Sequence, residues 1–175
     1  AKKKAYVIRA NDICKKKLEN HPYTSASFTL LATIYSEERN FEGAFHCFEQ
    51  AIEISKASTG KLSKSYADAL RSMGDFLYRN EKSSIAVNYL EKAIQVYDEI
   101  LQPNDPHRSD VLCLIAFTLS EKGEHQEALI YYKETLKIIE KVFPGDLGRL
   151  ILPLQYLAET YLRLGDYNMA EPLYK

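Results

Sequence analysis

The side chains best suited to chemistry in this sequence are four histidines, three cysteines and a large set of carboxylates, with 13 tyrosines beside them. His21, His46, His107 and His125 could each ligate a metal, but none has a partner at helical i, i+4 spacing or across a turn. His46 adjoins Cys47, the nearest approach to a constellation. Neighbouring helical residues point about 100° apart and cannot close on one ion. Cys14, Cys47 and Cys113 are odd in number, widely separated and outside any CxxC pair, which implies reducing surroundings. No GxSxG, HExxH or Gly-rich phosphate loop occurs. Carboxylates such as Glu37-Glu38 and Asp98-Glu99 are scattered as on solvated helix faces, with no apolar setting that would raise a pKa. The expectation is no enzyme, no metal site and no cofactor.

Charge and aromatic content narrow the partners. A net charge of −1 gives no general pull toward nucleic acid or an anionic membrane. Residues 1–17 carry seven cations (Lys2, Lys3, Lys4, Arg9, Lys15, Lys16, Lys17) against Asp12, so the remainder is net acidic. That stretch could be a polyanion patch, but a solvated helix with lysines at its dipole-favoured end is the reading adopted. Tyrosines could stack on bases. Most of them, including Tyr35, Tyr132, Tyr161 and Tyr174, instead fall on core positions of the repeat described next, and no nucleic acid is expected. No apolar run approaches the roughly 20 residues of a membrane span, and no signal-peptide pattern opens the chain. A soluble, cytoplasmic protein without membrane insertion is expected.

The elements that must position these side chains recur at a fixed period. Ala32, Gly74, Ala116 and Ala158 stand 42 positions apart, three intervals without insertion. Each follows an apolar residue (Leu31, Met73, Ile115, Leu157) and precedes another three places on (Tyr35, Leu77, Leu119, Tyr161), the spacing of one helix face. Twelve residues after each small residue comes an alanine (Ala44, Ala86, Ala128, Ala170), and four further on a bulky residue (Phe48, Leu90, Tyr132, Tyr174). A second helix therefore follows the first in every unit. The small residue lets the two axes approach while the bulky one fills the space around the contact. One pair cannot bury its apolar surface alone, so neighbouring pairs must stack. The fold predicted is all-α, a right-handed superhelix of antiparallel helix pairs. Gly123 and Gly165 suit a positive-φ cap between the paired helices; Arg39 and Glu81 hold that place earlier, and those turns are expected to be made differently.

These residues resemble a tetratricopeptide repeat in the 42-residue form of kinesin light chains and nephrocystin-like proteins. The similarity is most specific in AETYLRLGDYNMAEPLYK at 158–175, in LATIY at 31–35 and in second helices ending AIEIS, AIQVY and TLKII. It covers nearly the whole chain: residues 1–18 as the second helix of a preceding unit, then units at 24–58, 64–101, 108–143 and 148–175, the last truncated. Tyr6 falls 42 residues before Phe48. A fragment of a longer protein is expected, with weak self-association through exposed terminal units.

The resemblance implies a non-catalytic scaffold or adaptor that binds a protein or peptide in the groove lined by the first helices. Carried over by register, the groove positions are Ala26, Thr29, Thr33 and Ser36, then Asp68, Arg71, Asp75 and Tyr78. The third unit supplies Asp110, Cys113, Phe117 and Ser120, and the fourth Leu152, Gln155, Glu159 and Leu162. Arg71 would take an acidic side chain or carboxylate, with Tyr78 and Phe117 as apolar anchors, unless Asp68 and Asp75 satisfy Arg71 within its own helix. Two family patterns are absent. Thr29, Thr33 and Ser72 stand where chaperone-binding members carry lysine and asparagines. Leu30, Ser72, Leu114 and Tyr156 stand where kinesin light chains often carry Asn. Two other roles fit the same groove, a regulatory or targeting arm of a larger enzyme or signalling protein, and a peptide-sensing regulator.

Overall fold

The structure is a computed structural model that describes residues 2–18 and 20–174, with side chains from residue 5 onward. The side chains of Lys2, Lys3 and Lys4, and Lys175 altogether, lie outside it. The described residues form helices α1 (Lys2–Lys17), α2 (Pro22–Glu37), α3 (Phe41–Thr59), α4 (Lys64–Arg79), α5 (Ser83–Ile100), α6 (Pro106–Glu121), α7 (His125–Val142), α8 (Leu147–Arg163) and α9 (Tyr167–Ala170), then a 3-10 turn at Glu171–Tyr174. No strand occurs among them.

Each first helix starts on a residue that caps it. His21, Ser63, Asp105 and Asp146 accept backbone N–H bonds at the starts of α2, α4, α6 and α8. Pro22 and Pro106 occupy the first turns of α2 and α6, where a missing N–H costs nothing.

Helix pairs α2–α3, α4–α5 and α6–α7 pack as hairpins, and each second helix packs on the next first helix. Helix α1 packs on α2 as α3 packs on α4. Among the described residues the first helices also touch one another (α2 with α4, α4 with α6, α6 with α8), whereas α3, α5 and α7 do not. Closer approach on one side bends the stack, which puts the first helices on its concave face. Among the described residues no contact joins more distant pairs, as in a solenoid of neighbour contacts.

The periodic residues form the core. Ala32, Ala44, Ala86, Ala116, Ala128 and Ala158 are sealed from solvent, and Phe48, Leu90 and Tyr132 are buried between them. At Gly74 an added Cβ would meet Leu90 Cδ2 at 2.5 Å and Cγ at 2.6 Å, so the approach of α4 to α5 at this point depends on glycine. Arg108 stitches the second junction, its guanidinium bonding Asp98 of α5 at 2.7 Å and Glu134 of α7 at 3.3 Å.

Two expectations need correction. Arg39 and Glu81 do not make different turns: both have φ of 59°, in the same left-handed region as Gly123 and Gly165. The bonding is also shared. Asn40, Lys82, Glu124 and Asp166 donate backbone N–H groups to Tyr35, Leu77, Leu119 and Tyr161, the closing bond of a Schellman cap repeated four times. Paired helices require that geometry whatever side chain sits there. Tyr174, expected at a core position, is 56% exposed, whereas Phe48 and Tyr132 are covered by rings on the following first helix, Phe76 and Tyr156. Tyr6, which shares the register of Phe48, is 71% exposed.

Candidate functional site

On the concave face, α2 and α4 bring part of the expected groove set together. Between α2 and α4 runs a cleft of about 680 Å³ lined by Ala26, Thr29 and Leu30 on one wall and Lys64, Asp68, Arg71 and Ser72 on the other, with His107 at its end. It shares Thr29, Arg71 and Ser72 with a second hollow of about 430 Å³ that continues to Thr33, Ser36 and Asp75. Seven of the register-derived residues thus line one continuous trough. The spacing of four helical positions within each unit brings them there, and the closeness of α2 and α4 joins the two sets.

The electrostatics of this trough are uneven. Lys64 Nζ bonds Asp68 Oδ2 at 2.9 Å, and the Tyr97 hydroxyl of α5 donates to Asp68 Oδ1. Arg79 Nε donates to both oxygens of Asp75 at 3.0 Å. Arg71 is half-buried and, among the described residues, forms no ion pair with either carboxylate. Thr29, Thr33 and Ser72 donate their hydroxyl protons to carbonyls of their own helices, at 3.2, 3.0 and 2.8 Å. Their oxygen lone pairs remain as acceptors.

The third and fourth units use the same positions differently. Phe117 is half-buried among aromatic rings, 6.2 Å from Tyr78 and 5.8 Å edge-on to Tyr132, with Tyr156 also in contact. Tyr156 in turn stacks on Tyr132 at 6.5 Å. Burial, aided by Asp110, pushes the Cys113 thiol up to about 12. It is therefore protonated at neutral pH and unsuited to nucleophilic work. Ser120 is buried beside His125 rather than facing the groove. Gln155 is exposed on α8, and Glu159 pairs with Arg163 at 3.0 Å, which also reaches Glu121 at 3.7 Å. Tyr78 lines a separate hollow with Arg79 and Glu121. Gln155 and Glu159 are not brought into the trough of the first two units.

Sequence reasoning missed Lys64, His107, Tyr97 and Tyr156. The i, i+4 spacing of Lys64 and Asp68 could have shown the first. Nothing in the pattern of α5 marks Tyr97, whose hydroxyl reaches the groove only because α4 and α5 pack as they do. Among the described residues no group of His, Cys, Asp and Glu could hold a metal ion, and no helix is long and apolar enough to cross a membrane.

Stacked helix hairpins with a groove on the first-helix side define an α-solenoid repeat protein. The tetratricopeptide-repeat profiles match residues 25–58, 65–141 and 115–175, and the chain belongs to that family. Similar solved structures include BtubC (BKLC) from P. vanneervenii, at 18% identity and TM-score 0.79, over 86% of this chain and 60% of that one. This chain thus spans less than two thirds of BtubC. A kinesin-light-chain-like array of nearly identical repeats from Podosopora anserina is 21% identical at TM-score 0.79, over 87% of this chain and 72% of that one. A point variant of the Podosopora anserina repeats reaches TM-score 0.82 at 21% identity, over 98% and 81%. No curated protein matches. Members of the family typically serve as protein-interaction scaffolds and are generally non-catalytic.

Proposed function

We propose that this chain is a non-catalytic scaffold segment whose concave face, along its first two units, binds an extended segment of another protein. One observation carries the reading: a continuous trough across α2 and α4 holds a half-buried guanidinium, Arg71, without an ion-pair partner among the described residues. A cation in that setting is suited to a carboxylate, as an acidic side chain or a chain terminus. The lone pairs of Thr29, Thr33 and Ser72 are acceptors for backbone N–H groups of the bound segment. Phe117 and Tyr78 are assigned to packing within the array, since their rings already have aromatic neighbours. The three cysteines, all free, accord with a reducing cytoplasmic setting.

A short-peptide display library panned against the protein tests the reading. Recovered peptides are expected to carry an acidic residue and to lose about tenfold in affinity to Arg71→Ala, the scale of one charged contact. Peptides that bind Arg71→Ala as well as the unaltered protein would discard it.

A further inference from the structure

Arg71 lies three residues after Asp68 and four before Asp75, spacings at which opposite charges on a helix normally pair. Among the described residues it pairs with neither. Both carboxylates are already held. Asp75 turns both oxygens to Arg79 Nε at 3.0 Å. Asp68 Oδ2 accepts from Lys64 Nζ at 2.9 Å, and Oδ1 accepts from the Tyr97 hydroxyl.

Tyr97 belongs to α5, the second helix of its unit, and its side chain is fully buried. Its hydroxyl is the point where the core meets the groove wall. Burial, then the hydrogen bond to Asp68 and its charge, raise the phenol above its ordinary pKa, while the charge of Arg71 and a hydrogen bond from its guanidinium, which leaves the other N–H groups for a ligand, pull the value back. The hydroxyl therefore stands next to both the carboxylate and the guanidinium.

The other units lack this arrangement. At the register position of Tyr97 stand Ser55 and Ile139. Ser55 Oγ donates to the Ile52 carbonyl of its own helix at 2.9 Å, and Ile139 has no polar side-chain atom. Asp110, in the place of Asp68, is followed by Cys113 where Arg71 would stand. Among the described residues, phenol, carboxylate and guanidinium come together in this way in the second unit alone, at the trough.

We propose that Tyr97 is a positioning residue for ligand selection: its hydroxyl and Lys64 together occupy Asp68, which keeps Arg71 available to an anionic side chain of the bound segment. The inference rests on the groove reading above and adds how the groove keeps its cation uncompensated. Without the hydroxyl, Asp68 turns to Arg71 and competes with the ligand. The competition is worth about threefold to tenfold in affinity, as for a partly exposed charged hydrogen bond.

The test is an NMR titration of the ¹⁵N-labelled chain with a tetraglutamate peptide. It follows Arg71 Nε–H and the α4 amides, with thermal melts alongside. Tyr97→Phe keeps the ring and is expected to weaken binding by that factor. Asp68→Asn strengthens it, and the double variant returns to the unaltered affinity or better. A purely structural role would instead lower the melting point and would not be rescued by Asp68→Asn. Unchanged affinity in Tyr97→Phe, with binding lost in Arg71→Ala, overturns the Tyr97 role and leaves the groove reading standing. No saturable shift in the unaltered chain, or undiminished binding by Arg71→Ala, overturns the groove reading itself.

Discussion

The first two units and the last two present the same register positions to the concave face and use them in opposite ways. In the first pair, small hydroxylated residues on α2 face charged ones on α4 across an open trough, and Arg71 is left without a carboxylate partner among the described residues. In the second pair, Phe117, Tyr132 and Tyr156 close on one another, and Glu159 is tied to Arg163. The repeat determines where a side chain points. Its type decides whether that surface is spent on internal packing or left available to a partner.

Stability should therefore be concentrated in the aromatic half and recognition in the polar half. Tyr132→Ala is the harshest test, because the ring is sealed from solvent and contacts both Phe117 and Tyr156. A loss of about 3–5 kcal/mol is expected in urea denaturation. Arg71→Ala should change stability by less than about 0.5 kcal/mol. Similar losses for the two would erase the contrast.

The close helix contact gives a smaller effect. Gly74→Ala forces a Cβ into Leu90 at an overpacking cost of about 1–3 kcal/mol, offset by about 1 kcal/mol of gained helix propensity. A net loss of roughly 1 kcal/mol is expected. A gain in stability would mean that the first half tolerates the alanine spacing already used at Ala116.

The inter-helix turns sharpen the comparison in the other direction, since the first two units place Arg39 and Glu81 where the last two have glycine. Glu81→Gly should raise stability by up to about 1 kcal/mol by relieving a left-handed side-chain residue. A thermal melt that does not rise would show the strain is already absorbed.

Chemistry at Cys113 offers the mildest probe. The fold favours its protonated form, so the stabilisation is complete below the ordinary thiol value of 9.0 and is lost as pH climbs toward about 12. Cys113→Ala should move the alkaline unfolding midpoint upward. Maleimide labelling at neutral pH should be slow in the folded protein and fast in urea.

Much of this arrangement was legible in the residues. Four alignments at 42-residue intervals led directly to hairpins and their stacking, because close helix contact permits only small residues and recurs with the unit. The cap turns were misread because glycine was taken as the mark of left-handed backbone. In the structure, closure between paired helices imposes that conformation on Arg39 and Glu81 as well. Tyr174 was assigned to the core by register, yet it is 56% exposed, because register fixes a position on a helix face and not what packs against it.

By itself, then, the sequence determined the fold and which residues share a helix face, since both follow from local periodicity. Which of those faces closes on itself and which stays open was decided only in three dimensions. The Tyr97 hydroxyl meets Asp68 29 residues away, and Phe117 meets Tyr156 on another helix. Hydrogen bonds and ring contacts depend on separations of a few ångströms between elements, and no spacing along one helix encodes them.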